Sequence, residues 1–181
     1  LEGGGGWALR HEVRKPRGGQ STFAPVAFTN FSYFASSLFM RSTDPVIPQI
    51  AQGLNVDPAT AALLSTAFSL PYALVQPLLG ALADIFSKAR LMLLCLLVVT
   101  TATLLCGFAP SFELLFAGRV LAGVAAGGVV PIAFALVGDQ IPVAERQVAM
   151  GRLLFAIMTG NLLGATLAGV VGDLAGWRGV F

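Results

Sequence analysis

The chain has 181 residues, of which 56% are hydrophobic and 11% charged, with a formal net charge of +2 and a mean hydropathy of +0.80. Soluble domains carry about 25% charged residues, so the surroundings that suit this composition are lipid rather than water. So small a net charge argues against a nucleic-acid partner, and no cofactor-binding motif or metal-ligand spacing occurs: the one histidine is His11, and Cys95 and Cys106 both lie within one apolar run.

The chain opens Leu1-Glu2-Gly3-Gly4-Gly5-Gly6 without an initiating methionine, which has the look of a truncated reading frame or an expression scar. Residues 1–22 read as a basic, disordered tail. Apolar runs follow that reach or nearly reach the roughly 20 helical residues a hydrocarbon core requires. They predict membrane helices over about 23–50, 58–83, 91–109, 114–138 and 150–172, with a sixth beginning at 177–181. Helices are the open-chain solution at that depth, because an unclosed strand leaves backbone groups unpaired in hydrocarbon.

The first span is expected to continue through Arg41 and Asp44, three residues apart on one helical face and close enough to pair. Such a pair is either a structural contact at the interface or a feature of a central cavity. Pro71 and Pro77 in the second span free backbone carbonyls and can kink it. Between the second and third spans stands Gly80-Ala81-Leu82-Ala83-Asp84-Ile85-Phe86-Ser87-Lys88-Ala89-Arg90. Here a small residue allows close helix approach, a carboxylate sits where the helix leaves the lipid, and basic residues follow.

In the fourth span Arg119, Gly123, Gly127 and Pro131 recur every four residues, placing a cation and two close-approach sites along one face. An arginine at mid-span costs about 2.5 to 3.5 kcal/mol on insertion scales, and such residues usually line a water-filled path or pair with an acid. The alternative is an arginine that snorkels to the interface. The fifth span repeats small residues at Gly160, Gly164, Ala168 and Gly172, with Gly169 beside them, a ridge shaped for another helix.

Charge alternates between the connections. Arg10, Arg14, Lys15, Arg17, Lys88, Arg90, Arg146 and Arg152 fall on one side and Arg178 on the other, so the positive-inside rule puts the N-terminus in the cytoplasm.

The loop from Gly80 to Arg90 resembles the signature loop of the major facilitator superfamily, G-x-L-A-D-R/K-x-G-R-R/K, through Gly80, Leu82, Ala83, Asp84 and Lys88. Ile85, Ser87 and Ala89 depart from it, and Arg90 stands one place late. Arg119 to Gly123 is similar to the superfamily's fourth-helix motif, R-x-x-x-G, and Gly160 to Gly169 to the fifth-helix motif of its drug:proton antiporters, with Ala165 and Ala168 as departures. The run from Arg41 to Pro48 looks like the first-helix ends of bacterial efflux members.

The resemblance implies an all-α transmembrane bundle, five helices of an incomplete N-terminal six-helix half. It also implies a secondary transporter working by alternating access in a bacterial inner membrane, an antiporter in which protons drive efflux of a small-molecule solute. Coupling would fall to Arg119, with Asp44 and Arg41 as further candidates. Its partners would be the lipid bilayer and the missing C-terminal half, without which transport is not expected. The fifth-span ridge would then await a helix beyond this chain. A non-transporting scaffold or receptor is the rival reading. An intramembrane enzyme is disfavoured because the spans carry no histidine and no metal-ligand cluster.

Overall fold

The computed structural model describes residues 34–181; the basic tail and the start of the first span lie outside them. The described part begins in helix α1 (34–40). The chain then bends at residues 41–43 and makes a 3-10 turn, η1 (Asp44–Val46), before α2 (Ile47–Gly53). Four long helices follow: α3 (Pro58–Ile85), α4 (Lys88–Gly107), α5 (Phe112–Gln140) and α6 (Val143–Ala175). All four are long and apolar enough to cross a membrane. A second 3-10 turn, η2 (Trp177–Val180), closes the chain.

The first span therefore does not run unbroken to residue 50. Pro45 and Pro48 occupy the opening positions of η1 and α2. Each lacks the N–H that an unbroken helix would donate to the carbonyl four residues back, so the helix is interrupted at residues 41–43 and restarted with the prolines in first-turn positions, where no such donor is needed. The start near Trp177 is likewise a 3-10 turn, entered through Gly176 at φ 75°. Elsewhere the helices outrun the apolar runs: α4 begins at Lys88 and α6 at Val143, because charges mark where the lipid ends and not where the backbone stops coiling. Local caps fix other ends. The Asp57 carboxylate accepts from the Ala59 N–H at 2.9 Å, and the Ser111 hydroxyl from Leu114 N–H at 3.4 Å. Pro71, Pro77 and Pro131 sit within helices that continue past them.

Two seams of close contact organise the bundle. In the first, α5 lies parallel to α3, both running from the α2–α3 and α4–α5 turns (the far end) to the α3–α4 and α5–α6 turns (the basic end). A Cβ at Gly123 would collide with the Phe68 carbonyl, and one at Gly127 would stand 2.6 Å from the Tyr72 carbonyl oxygen. The four-residue period beginning at Arg119 thus faces α3. On its other side α5 meets α4: a Cβ at Gly118 would lie 2.5 Å from Cys106 Sγ, and one at Gly128 3.0 Å from Cys95 Sγ.

In the second seam, α6 lies parallel to the first span. A Cβ at Gly160 would stand 2.7 Å from Ser37 Cβ, one at Gly164 would collide with the Leu38 carbonyl, and one at Gly172 with the Val46 side chain. Ala168 is buried in the same row, while Gly169 faces Pro45 at an ordinary 3.8 Å. The ridge was expected to await a helix outside this chain. Its partner is instead the chain's own first span.

Candidate functional site

At the basic end the signature loop turns sharply. Phe86 and Ser87 are extended, and α4 starts at once. Ala83 is buried against Met92 and Val137, while Leu82, Asp84 and Arg90 are exposed. Gly80 was expected to bring helices together, yet a Cβ there would meet Pro131 at an ordinary 3.5 Å, so the site would tolerate alanine. Lys88 makes the tie across the bundle, donating to Asp139 at the end of α5 at 2.5 Å. Arg146 completes the join: its Nε donates to the Ile141 carbonyl at 3.0 Å and an NH2 to the Gly138 carbonyl at 2.6 Å. These are carbonyls at the C-terminus of α5 that helix geometry leaves without partners.

The second cluster lies seven residues into α5 and α3 from their far ends, a depth of about 10 Å. Arg119 is 1% exposed, and its guanidinium stacks over the Phe68 ring at 4.5 Å. The side chain therefore stays inside the bundle instead of reaching for the interface. Its Nε has no hydrogen-bond partner, and neither of the ion pairs among the described residues includes it. Asp44 is near enough to act on it electrostatically. That carboxylate is already engaged: one oxygen accepts from the Ser65 hydroxyl at 2.6 Å, and the other stands 3.5 Å from Arg41. Arg41 and Asp44 thus pair across the bend at residues 41–43 and not along a helical face. Thr43, beside Asp44, is fully buried with its hydroxyl oxygen unpartnered.

Ser65, Phe68 and Tyr72 occupy successive turns of one face of α3. Phe68 and Tyr72 are stacked, with ring centroids 5.9 Å apart. They wall a small pocket of about 20 Å³, room for a molecule of water size, completed by Ser36, Ser37 and Met40 of the first span, Ala126, Val129 and Val130 of α5 and Ile157 of α6. One turn along α6 from Ile157, Asn161 has a buried side-chain oxygen without a partner. Sequence reasoning singled out Arg119, Asp44 and Arg41 but not Ser65, Phe68, Tyr72 or Asn161. The three-and-four spacing of the α3 residues was available as a signal, although it does not say which helix they meet.

Membrane-length helices joined by small-residue seams, with an arginine and a pocket buried between spans from both ends of the chain, define a polytopic α-helical membrane protein. The family profile described as Major Facilitator Superfamily matches residues 29–181. The chain belongs to the major facilitator superfamily. It is 31% identical over 137 residues to the uncharacterized MFS-type transporter YwfA of Bacillus subtilis, covering 76% of this chain and 33% of that protein. It is 30% identical over 135 residues to the multidrug export protein EmrB of Haemophilus influenzae, covering 75% of this chain and 26% of that protein. The chain therefore spans about a third or less of the length of these relatives. Among solved structures, a bacterial homolog of the human lysosomal transporter Spinster, inward-facing and occupied, superposes with a TM-score of 0.76 at 24% identity, covering 88% of this chain and 35% of that one.

Proposed function

We propose that the chain is part of a proton-coupled exporter of a small solute in a bacterial inner membrane. In this reading its N-terminus is cytoplasmic, and its spans rock against a second half, absent here, to give alternating access. It is a transporter and not an enzyme. Relatives named for efflux, among them the multidrug export protein and a bacillibactin exporter of Bacillus subtilis, support the direction of transport. The observation that carries the reading is Arg119, a buried cation one α3 turn from the Ser65–Asp44 hydrogen bond. Ser65, which holds Asp44, and Phe68, which carries Arg119 and walls the pocket, stand on one face of α3, so the charged cluster and the pocket share that helix.

The test uses the complete transporter carrying this chain, in liposomes under a proton gradient. Arg119→Ala should lower transport at least about tenfold and flatten its pH dependence, about 1.4 kcal/mol or more of lost stabilisation. Arg119→Lys, which keeps the charge but not the planar fork, should fall between. Normal transport with an unchanged pH profile in Arg119→Ala would end the coupling role.

The orientation has its own expected result. In a background without Cys95 and Cys106, a cysteine introduced at Asn55 should react with a membrane-impermeant thiol reagent added outside intact cells. One at Ser87 should react only after permeabilisation, since basic loops stay inside. The reverse pattern would invert the topology.

A further inference from the structure

We infer that the α3–α4 turn is an anionic-phospholipid site: Ile85 and Phe86 seat among acyl chains at the membrane surface, and Arg90 takes the headgroup phosphate. The site depends on the chain lying in a bilayer and not on what the chain transports.

Exposure and chemistry disagree at this turn. Ile85 is 77% and Phe86 59% exposed, two large apolar side chains in succession at the end of a span. In water such a pair is an unfavourable surface, and exposed apolar patches mark sites of membrane or protein contact. The signature pattern has a basic residue where Ile85 stands, so the turn has exchanged a hydrated group for a lipophilic one. The pair also continues a row. Leu70, Leu74, Leu78, Leu82 and Ile85 follow one another at three- and four-residue steps along one face of α3, and every one of them is exposed.

Lipid fits that row better than another helix does. Where helices of this chain meet, Gly123, Gly127, Gly160 and Gly164 let the backbones approach, as close helix contact in lipid requires. The exposed row carries leucines at the same steps and would hold a neighbouring backbone off. Charge then selects the lipid. At this end Lys88 is bound to Asp139, and Arg146 to the carbonyls of Gly138 and Ile141. Arg90, four residues beyond Phe86, is exposed and joins neither ion pair among the described residues. Asp84, on the other side of the apolar pair, is also exposed, so the preference for an anion rests on contact with Arg90 and stays modest. One basic side chain at a membrane surface favours anionic lipid by about fivefold.

The experiment uses the complete transporter carrying this chain, in nanodiscs of phosphatidylglycerol and phosphatidylcholine in equal parts, with acyl chains of different mass. Both leaflets are alike there, so the result does not depend on which way the chain faces. Photoreactive p-benzoylphenylalanine replaces Phe86 or, as a control, Leu97, which is 65% exposed midway along α4. After irradiation, mass spectrometry identifies what each probe has joined. The probe at position 86 should join phospholipid, with phosphatidylglycerol favoured by about fivefold. The probe at position 97 should join the two lipids in the proportion supplied. Arg90→Gln should return position 86 to that proportion and leave position 97 unchanged. Adducts at position 86 to peptide of the second half or of another copy, absence of any adduct there, equal capture of the two lipids, or a phosphatidylglycerol preference that survives Arg90→Gln would each overturn the inference.

Discussion

Gly164→Leu should abolish a stable α1–α6 pair, and Gly123→Leu should do the same to α3 and α5. In each case the first added carbon meets backbone: the carbonyl of Leu38 opposite Gly164, and that of Phe68 opposite Gly123. A flexible side chain could swing aside, but a helix backbone moves only as a whole. Overpacking a close-packed interior costs about 1–3 kcal/mol where side chains can adjust, and more where they cannot. The driving force for helix association in lipid is van der Waals packing, so holding two helices apart removes most of what joined them. Thermal unfolding in mild detergent, followed by light scattering, should show a large loss of melting temperature or no monodisperse species for either variant. Gly151→Leu supplies the contrast, because nothing lies within 4 Å of a Cβ there. Wild-type-like melting of Gly164→Leu would mean that the α6 ridge does not seat the first span.

That ridge shows how far the residue pattern reached. The spacing of Gly160, Gly164, Ala168 and Gly172 identified a close-packing face, since four-residue periods fall on one side of a helix. It could not identify the partner, because smallness on one helix constrains only how near the other comes. The partner was assigned to a helix outside this chain, whereas the Leu38 and Val46 contacts assign it to the first span. The bend at residues 41–43 was hidden for a different reason. Pro45 and Pro48 were visible, but apolar length was read as helix length, and hydropathy does not register a missing N–H. Arg119 was legible as costly. That it stacks on Phe68, and that Asp44 is held by Ser65, depended on which α3 turn lies opposite, which no single helix records.

The two seams share a logic. The first span pairs with α6, the fifth, and α3, the second, pairs with α5, the fourth; each pair is parallel although its members are not consecutive in the chain. Superfamily halves are built as inverted repeats of three helices. Such a repeat exchanges the first span with the fourth and the second with the fifth, and so carries one seam onto the other. Arg119 and the Arg41–Asp44 pair then stand on equivalent helices of the two repeats. The pocket opens where these repeats meet, with lining residues from both members of each pair.

The second large effect is expected at the far end, where Trp177→Ala should cost about 3 kcal/mol or more. Gly176, at φ 75°, ends α6 and turns the chain back so that Trp177 is buried at 5% exposure. The indole packs with Val46, Ile50, Leu64 and Leu115, elements that otherwise belong to separate seams. Gly53 is left without a side chain to make room for it: a Cβ there would stand 2.6 Å from the indole nitrogen. Arg178 holds the turn in place, its guanidinium 4.2 Å from the Trp177 ring and one NH2 donating to the Ala109 carbonyl at 3.2 Å. Removing the indole leaves a void bordered by α2, α3 and α5, and those helices cannot close on it without disturbing the seams. Trp177→Phe should recover part of the loss by refilling the ring volume, whereas Arg178→Ala alone should cost less because its contacts are partly exposed. Thermal melts of the three variants in one detergent give the order directly. A Trp177→Ala chain that melts with the unmodified one would show that the turn merely rests on the bundle and does not join its two seams.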